Sequence, residues 1–351
     1  MSDSILWCRE GAHIAILGAT GAVGREMIRC VDTLKLPVRK VDLLASARSA
    51  GKSLSTPWGS LIVHDAGHFD FRGVDIVLCS AGKSVSLALA DRIVSAGALM
   101  IDNTSAFRRD PKWPLVVPEV NGHLIALKPG IIANPNCSTI QMVLALKALD
   151  DAVGIDDVRV ATYQSCSGAG QKGMDALLTE TRDALAGHRH DTSAVHARGI
   201  AFDVVPQIGA FLDSGFTEEE DKMMFETQKI LDRPDLRVCA TCVRVPVMRC
   251  HSEVVSLNTR KEISVQEAAS ILDEMPGLRV TDMQSPDAYP TATQAQDHFD
   301  TFIGRIRKDP VANHGLIFWI VSDNLLKGAA LNAVQIACSA WNQGRMESTH
   351  E

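Results

Sequence analysis

The chain has 351 residues, of which 46% are hydrophobic and 22% charged. That balance excludes a disordered or low-complexity polymer, and the length suits about two domains with substantial cores. With 35 basic against 42 acidic residues, the formal net charge of −7 argues against a general nucleic-acid or anionic-membrane surface, while a local basic pocket stays open.

No apolar run approaches the roughly 18 residues a transmembrane helix needs. Met1 to Gly11 shows no basic stretch followed by an apolar one, so no signal peptide is expected. Nine cysteines (Cys8, Cys30, Cys79, Cys137, Cys166, Cys239, Cys242, Cys250 and Cys338) are odd in number and scattered. They fit free thiols in a reducing cytoplasm better than a disulfide framework.

In chain order, short apolar runs alternate with helical patterns through the first 132 residues. Strands are expected over 13–17, 41–45, 76–79, 99–101 and 130–133, with helices over 26–33 and 84–96. Such alternation predicts βαβ units and an α/β fold: a Rossmann-type domain with a parallel sheet. After Cys137, apolar spacing over 140–149 predicts an amphipathic helix. Longer strands follow over 158–164, 237–246 and 253–259, separated by helices over 173–184, 218–231 and 265–273, which predicts a mixed α+β second domain. The small-residue stretch over 328–341 reads as a helix that returns to the first domain. The expected division is 1–136 with 329–351, and 137–328.

Gly18-Ala19-Thr20-Gly21-Ala22-Val23-Gly24 follows the first strand and opens a helix. This is a G-x-x-G-x-x-G form of the dinucleotide fingerprint, whose glycines let backbone and helix N-terminus approach a pyrophosphate. At the end of the second strand, where NAD enzymes carry an acid for the ribose, stands Ser46-Ala47-Arg48-Ser49; Asp42 falls at the strand's start. A guanidinium with Ser46 and Ser49 suits a 2′-phosphate, so NADP is expected. Asn134-Pro135-Asn136-Cys137-Ser138 lies between a strand and a helix. A cysteine at a helix N-terminus gains thiolate character, and the N–H groups there suit an oxyanion. The pair Cys239 and Cys242 has no second pair at matched spacing, and no metal site is expected.

These motifs, with Val117-Pro118-Glu119-Val120-Asn121, Gln164-Ser165-Cys166-Ser167-Gly168-Ala169-Gly170, Val243-Arg244-Val245-Pro246, His251-Ser252-Glu253 and Ser322-Asp323-Asn324-Leu325-Leu326-Lys327-Gly328, occur in one order over about residues 12–341. The set resembles the bacterial aspartate-β-semialdehyde dehydrogenase family. The resemblance implies an NADP-binding domain plus a catalytic and dimerisation domain, forming homodimers and sometimes homotetramers. It implies NADPH-dependent reduction of L-aspartyl 4-phosphate to L-aspartate 4-semialdehyde and phosphate through a cysteine thioester. The product feeds lysine, diaminopimelate, threonine, methionine and isoleucine synthesis.

The resemblance also assigns roles. Cys137 is the nucleophile by its setting and by the motif. His251 becomes the acid–base; without the resemblance it has no claim over His123 or His196. Gln164 orients the acyl group and Arg244 grips the substrate carboxylate. Arg108, Lys222 and Asn136 serve the phosphate, and Glu219 the ammonium, with Glu220 as the alternative. Ser167, Gly168 and Asn324 face the nicotinamide end.

Lys83 departs from the pattern, standing where the family commonly has glycine, with a crowding or an added contact as its two consequences. Cys166 and Cys250 read as packing variants exposed to oxidation beside Cys137. Two other functions stay open. Reduction of N-acetylglutamyl phosphate uses the same chemistry but a motif with Gly before and Tyr after the cysteine, against Asn136 and Ser138. A catalytically silent nucleotide binder is disfavoured by the joint presence of Cys137, Gln164, Arg244 and His251.

Overall fold

Apolar runs of four to eight residues are too short for buried helices, and in the first half they become strands covered on both faces. The structure, a computed structural model, describes residues 11–348 apart from 127, 284 and 286; Cys8, with the rest of 1–10, and 349–351 lie outside the described residues. The chain divides into two units, Met1–Pro135 with Ala329–Glu351, and Asn136–Gly328.

The first unit holds β1 (Ala12–Leu17), α1 (Ala22–Thr33), β2 (Val38–Ala45), β3 (Ser53–Thr56), β4 (Gly59–Asp65), β5 (Ile76–Cys79), α2 (Lys83–Ser95), β6 (Leu99–Asp102), the single turn α3 (Pro118–Asn121) and β7 (Gly130–Ala133). The sheet order is β3-β4-β2-β1-β5-β6-β7. All neighbours are parallel except β3, which runs antiparallel to β4. β1, β5, β6 and β7 are buried at every position, as strands covered by helices on both sides require. The hairpin β3–β4 was not expected from the sequence: β3 reads Ser-Leu-Ser-Thr and is half exposed, so no apolar run marks it. The last helix of the chain, α9 (Leu331–Ser348), packs on α1 and β6 of this unit.

The second unit begins with α4 (Cys137–Val153), then β8 (Ile155–Gln164), α5 (Gln171–Leu185), α6 (Glu218–Leu231), β9 (Arg237–Arg244), β10 (His251–Thr259), α7 (Val265–Glu274), β11 (Leu278–Val280), the turn α8 (Ala292–Ala295), β12 (Thr301–Lys308) and β13 (Gly315–Ser322). Its six strands are ordered β11-β12-β13-β10-β8-β9. β8 runs parallel to β9 and antiparallel to β10. The sequence reading left out β11, β12 and β13. β13, Gly-Leu-Ile-Phe-Trp-Ile-Val-Ser, is an apolar run with no alternation, because six of its eight positions are buried.

The helix expected to be amphipathic is not. In α4, residues 138–146 are all buried, because it packs on β8, β10 and β13 from one side and on α6 and α7 from others. The buried stretch still holds three polar residues, Ser138, Thr139 and Gln141, and the partly exposed Lys147–Asp151 pair comes only in the last turns.

Register now aligns the chemistry. Gln164 pairs with Arg244 across β8 and β9, and Tyr163 pairs with Ser252, so His251 stands one step further at the same end of the sheet. Period-2 alternation puts Gln164, Arg244 and His251 on the inner face, with Thr162, Cys242 and Glu253 in the row behind them. The strand expected over 253–259 begins two residues earlier, and that places His251 inside the sheet.

Candidate active site

In the first unit, a cleft of about 610 Å³ opens beside the first βα turn. Its lining includes Gly18, Thr20, Gly21, Ser46, Arg48 and Ser49. Gly18 has φ +91, and a Cβ there would lie 2.5 Å from the Ser80 carbonyl oxygen, so only glycine fits. α1 starts after Gly21 with no side chain capping it, which leaves its first N–H groups for an anion. Ala22, Val23 and Gly24 open α1 and do not line the cleft.

Arg48 is exposed and makes no ion pair among the described residues. Asp42 is buried, accepting from His13 Nε2 at 2.6 Å and pairing with Lys40 at 2.9 Å. One acid does line the cleft: Asp65, from β4, beside Ala45 in the sheet. It accepts from His68 and from the Gly67 N–H, and those bonds hold its carboxyl below the ordinary value. The sequence reading missed it because it belongs to an unexpected strand. Lys83 is exposed at the start of α2 and does not line the cleft. Arg108, on the loop after β6, is buried, with Nη2 donating to the Asn103 carbonyl at 2.8 Å.

In the second unit, Cys137 is the half-buried first residue of α4. Asn136 caps this helix: its Oδ1 accepts from the N–H groups of Ser138 at 2.9 Å and Thr139 at 3.3 Å. Those two N–H groups are therefore engaged by the cap and not offered to an oxyanion, contrary to expectation. The Asn136 N–H donates to Glu226 at 2.6 Å and its Nδ2 to Glu219 at 2.8 Å. Gly328 packs on Cys137, since a Cβ there would sit 2.7 Å from the Cys137 Cβ. Neither Glu226 nor Gly328 carried a signal of its own in the sequence.

Glu219 gathers the polar side chains. Besides Asn136 it accepts from Gln164 at 3.3 Å and pairs with Lys222 at 3.4 Å. Burial pushes its carboxyl upward, but Lys222, Asn136, Arg244 and Gln164 together outweigh it and hold the group below the ordinary value. Glu220 is used elsewhere. One of its oxygens accepts from the Thr217 N–H in the capping box of α6, the other from the Cys242 N–H. Of the two candidates, Glu219 is the one that meets the other site residues.

Arg244 is buried, with Nη1 donating to the Ser165 carbonyl at 2.6 Å. His251 is fully buried; its Nδ1 receives the Ser165 N–H at 3.1 Å, and its Nε2 has no protein partner among the described residues. Burial, then the charge of Arg244, pushes its pKa down to about 3. Gly168 closes on both, for a Cβ there would lie 2.8 Å from Arg244 Nη1 and 3.3 Å from His251 Nε2. Asn324 Oδ1 accepts from Ser165 Oγ, Ser167 Oγ and the Cys250 N–H. Ser165, absent from the expected site, is the direct neighbour of His251. His123 is exposed, and His196 is half-buried near Arg244.

No disulfide joins the described cysteines. Burial pushes up the thiols of Cys79, Cys166, Cys242, Cys250 and Cys338, Cys166 to about 11. Cys239 is exposed and Cys242 buried, on opposite faces of β9, so the two do not converge on a shared ligand. No helix among the described residues is long and apolar enough to cross a membrane.

Two family models match: the semialdehyde dehydrogenase NAD binding domain over residues 13–128, and the semialdehyde dehydrogenase dimerisation domain over 146–327. An aspartate-semialdehyde dehydrogenase of Bacillus subtilis is 46% identical over 335 residues, covering 93% of this chain and 97% of its own. The crystal structure of aspartate semialdehyde dehydrogenase II from Vibrio cholerae, complexed with ASA, superposes with a TM-score of 0.90 at 43% identity, covering 94% and 98% of the two chains. The aspartate semialdehyde dehydrogenase of Candida albicans, solved with NADP, follows at a TM-score of 0.74 and 26% identity, with 95% and 99% covered. On both domains, across nearly its whole length, the chain belongs to the aspartate-semialdehyde dehydrogenase family.

Proposed function

We propose that the protein is an NADP-dependent, phosphorylating aspartate-semialdehyde dehydrogenase, reducing L-aspartyl 4-phosphate to L-aspartate 4-semialdehyde in the aspartate pathway to lysine, diaminopimelate, threonine, methionine and isoleucine. The observation that carries this reading is the convergence of Cys137, Asn136, Glu219, Gln164 and Lys222 at the start of α4, with Arg244 and His251 in the adjoining sheet row. NADP is favoured over NAD by Arg48, whose guanidinium is held by no carboxylate among the described residues, with Ser46 and Ser49 beside it in the cleft. Residues 1–136 with 329–351 are assigned to the cofactor, 137–328 to catalysis and to a homodimer or homotetramer contact. The lack of a disulfide among the described cysteines and the biosynthetic role fit the cytoplasm.

Each residue then has a task. Cys137 attacks the acyl carbon; forming a thioester splits one hard displacement into two easier steps. Bound NADPH supplies the hydride that reduces this thioester. Gly18, Thr20 and Gly21 receive the pyrophosphate, while Ala22, Val23 and Gly24 set the turn and helix start that present it. Ser167, Gly168 and the amide nitrogen of Asn324 face the nicotinamide end. Arg244 holds the substrate carboxylate and Glu219 its ammonium. Gln164 orients the acyl group, and Arg108, Asn136 and Lys222 serve the phosphate.

Initial rates with aspartate semialdehyde and phosphate test this, using NADP or NAD and wild-type or Cys137→Ala protein. Turnover is expected with NADP, weakly with NAD, and none in the variant, whose NADP binding persists. Turnover in Cys137→Ala, or preference for the one-carbon-longer semialdehyde, refutes the reading.

A further inference from the structure

Among the described residues the cofactor cleft has a single lining carboxylate, and the proposed chemistry gives it no task. Asp65 ends β4, and the parallel register sets it beside Ala45, the last residue of β2. Ligands of an open α/β sheet bind outside these carboxyl ends. The carboxylate is held in place: Oδ1 accepts from the Gly67 N–H at 3.1 Å and Oδ2 from His68 Nδ1 at 2.7 Å. The bond from His68, then that from Gly67, keeps the carboxyl below its ordinary value and hence ionised at neutral pH. Each oxygen keeps a further lone pair, so the group offers acceptors and no donor.

The backbone of the same turn offers a ligand no donor either. The Ala66 N–H donates to the Ala45 carbonyl at 2.9 Å, the Gly67 N–H to Asp65 Oδ1, and the His68 N–H to the Asp65 carbonyl at 3.3 Å. This border of the cleft therefore suits only a group that donates. The rest of the lining narrows which one. Gly18, Thr20 and Gly21 are assigned to the pyrophosphate, and Ser46, Arg48 and Ser49 to the 2′-phosphorylated ribose. What is left is apolar, with Val85, Ala88 and Leu89 along one face of α2. Such a face suits the flat base of the cofactor, and the exocyclic amine is the one N–H donor that adenine keeps in a nucleotide. A carboxylate is otherwise a poor choice for this turn. Asparagine or serine closes it without charge, and a negative charge in a cleft that takes phosphates weakens binding unless the ligand uses it.

We propose that Asp65 is the base-specificity residue of the cofactor cleft: its carboxylate accepts from the exocyclic amine of adenine, so that the site takes adenine dinucleotides and rejects those with a carbonyl at that position. The proposal rests on the reading of this cleft as the NADP site and adds to it which base the site selects. With a carbonyl in place of the amine, an oxygen would face the carboxylate and the hydrogen bond would be lost.

The test is calorimetric titration of the full-length protein with NADP and with nicotinamide hypoxanthine dinucleotide phosphate, in which the amine is replaced by a carbonyl. The unsubstituted protein is expected to bind NADP tighter by about tenfold or more, as loss of a hydrogen bond to a charged group implies. Asp65→Asn keeps the turn, since its amide oxygen takes the Gly67 N–H, and sets a donor where the second carboxylate oxygen stood. Its preference is expected to fall to within about threefold of none. Asp65→Ala removes the acceptor without adding a donor, should lose the preference likewise, and decides if the asparagine variant does not fold. Equal preferences in the unsubstituted protein and the variants, or no preference in the unsubstituted protein, overturn the proposal. So does a change in the ratio of NADP to NAD affinity with the base preference intact, which would place Asp65 on the ribose. Failure of the unsubstituted protein to bind NADP would instead sink the cofactor reading, whereas binding without base preference sinks this proposal alone.

Discussion

Removing the Asn136 side chain separates the helix cap from the link to Glu219. In Asn136→Ala, two N–H groups at the fully buried positions Ser138 and Thr139 lose their acceptor. Loss of such a cap costs about 1 kcal/mol. The same change takes the 2.8 Å donor from Glu219, a buried carboxylate, and hydrogen bonds to charged groups contribute roughly 1.5–3 kcal/mol. The two together predict a loss of about 3 kcal/mol, measured by urea unfolding at pH 7. Asn136→Ser restores a cap acceptor without reaching Glu219, so it should recover about 1 kcal/mol of that. Asn136→Asp keeps the cap but puts a second carboxyl against Glu219. The pair then binds a proton in the fold that it releases on unfolding, so the variant weakens relative to wild type as pH rises from 4 to 8. A loss below about 0.5 kcal/mol in Asn136→Ala, or equal stabilities of the Ala and Ser variants, would refute the reasoning.

Two further outcomes follow from the packing around α4. Glu253 is fully buried in the row behind Gln164, Arg244 and His251, and burial raises its carboxyl well above 4.5, with Gln141 of α4 only partly opposing. The native state thus holds a proton that the unfolded chain has released above 4.5, and stability falls by about 1.4 kcal/mol per pH unit until the folded pKa is reached. Glu253→Gln removes this slope, so its stability advantage should widen as pH rises above the ordinary carboxyl value; a constant gap contradicts the neutral acid. Gly328→Ala puts a methyl 2.7 Å from the Cys137 Cβ. Overpacking of that kind costs roughly 1–3 kcal/mol, and displacement of the nucleophile should lower kcat at least tenfold; an unchanged kcat and melting temperature would show that the contact yields freely.

What the sequence revealed and what it hid have one physical basis. Signals that depend on local backbone were legible: the glycine turn before α1, the buried four-residue strands, the cysteine at a helix N-terminus. Signals that depend on pairing were not. β3, β4, β12 and β13 are made by their partners, and Asp65 reached the cofactor cleft only because β4 pairs with β2. The amphipathic reading of α4 failed because a helix surrounded by a sheet and two helices has no solvent face to mark with polar residues. The same holds for His251. Eleven histidines are equivalent by composition, and only register sets one of them at the sheet end that holds Gln164 and Arg244. Likewise Glu219 and Glu220 differ by one position, which on α6 turns one toward Asn136 and gives the other to the capping box.

The residue before His251 shows how distant chain segments enforce that register. Cys250 adopts φ +75, a left-handed conformation that costs a non-glycine residue about 1 kcal/mol or more. Two features offset the cost. The Cys250 N–H donates to Asn324 at 3.0 Å, and its side chain is buried with Ala295 and Val321. Asn324 is in turn held next to Asp323, whose carboxylate accepts from Arg249, from the Leu325 N–H and from the Asp297 N–H. The strained turn therefore aims His251 only while the loop after β13 stays closed on it. The same amide oxygen binds Ser165 and Ser167. Oδ1 of Asn324 is committed to three inward donors. Asn324 is thus the tie that orients His251, through Ser165 and the Cys250 N–H. Its loss should disturb kcat as well as cofactor binding.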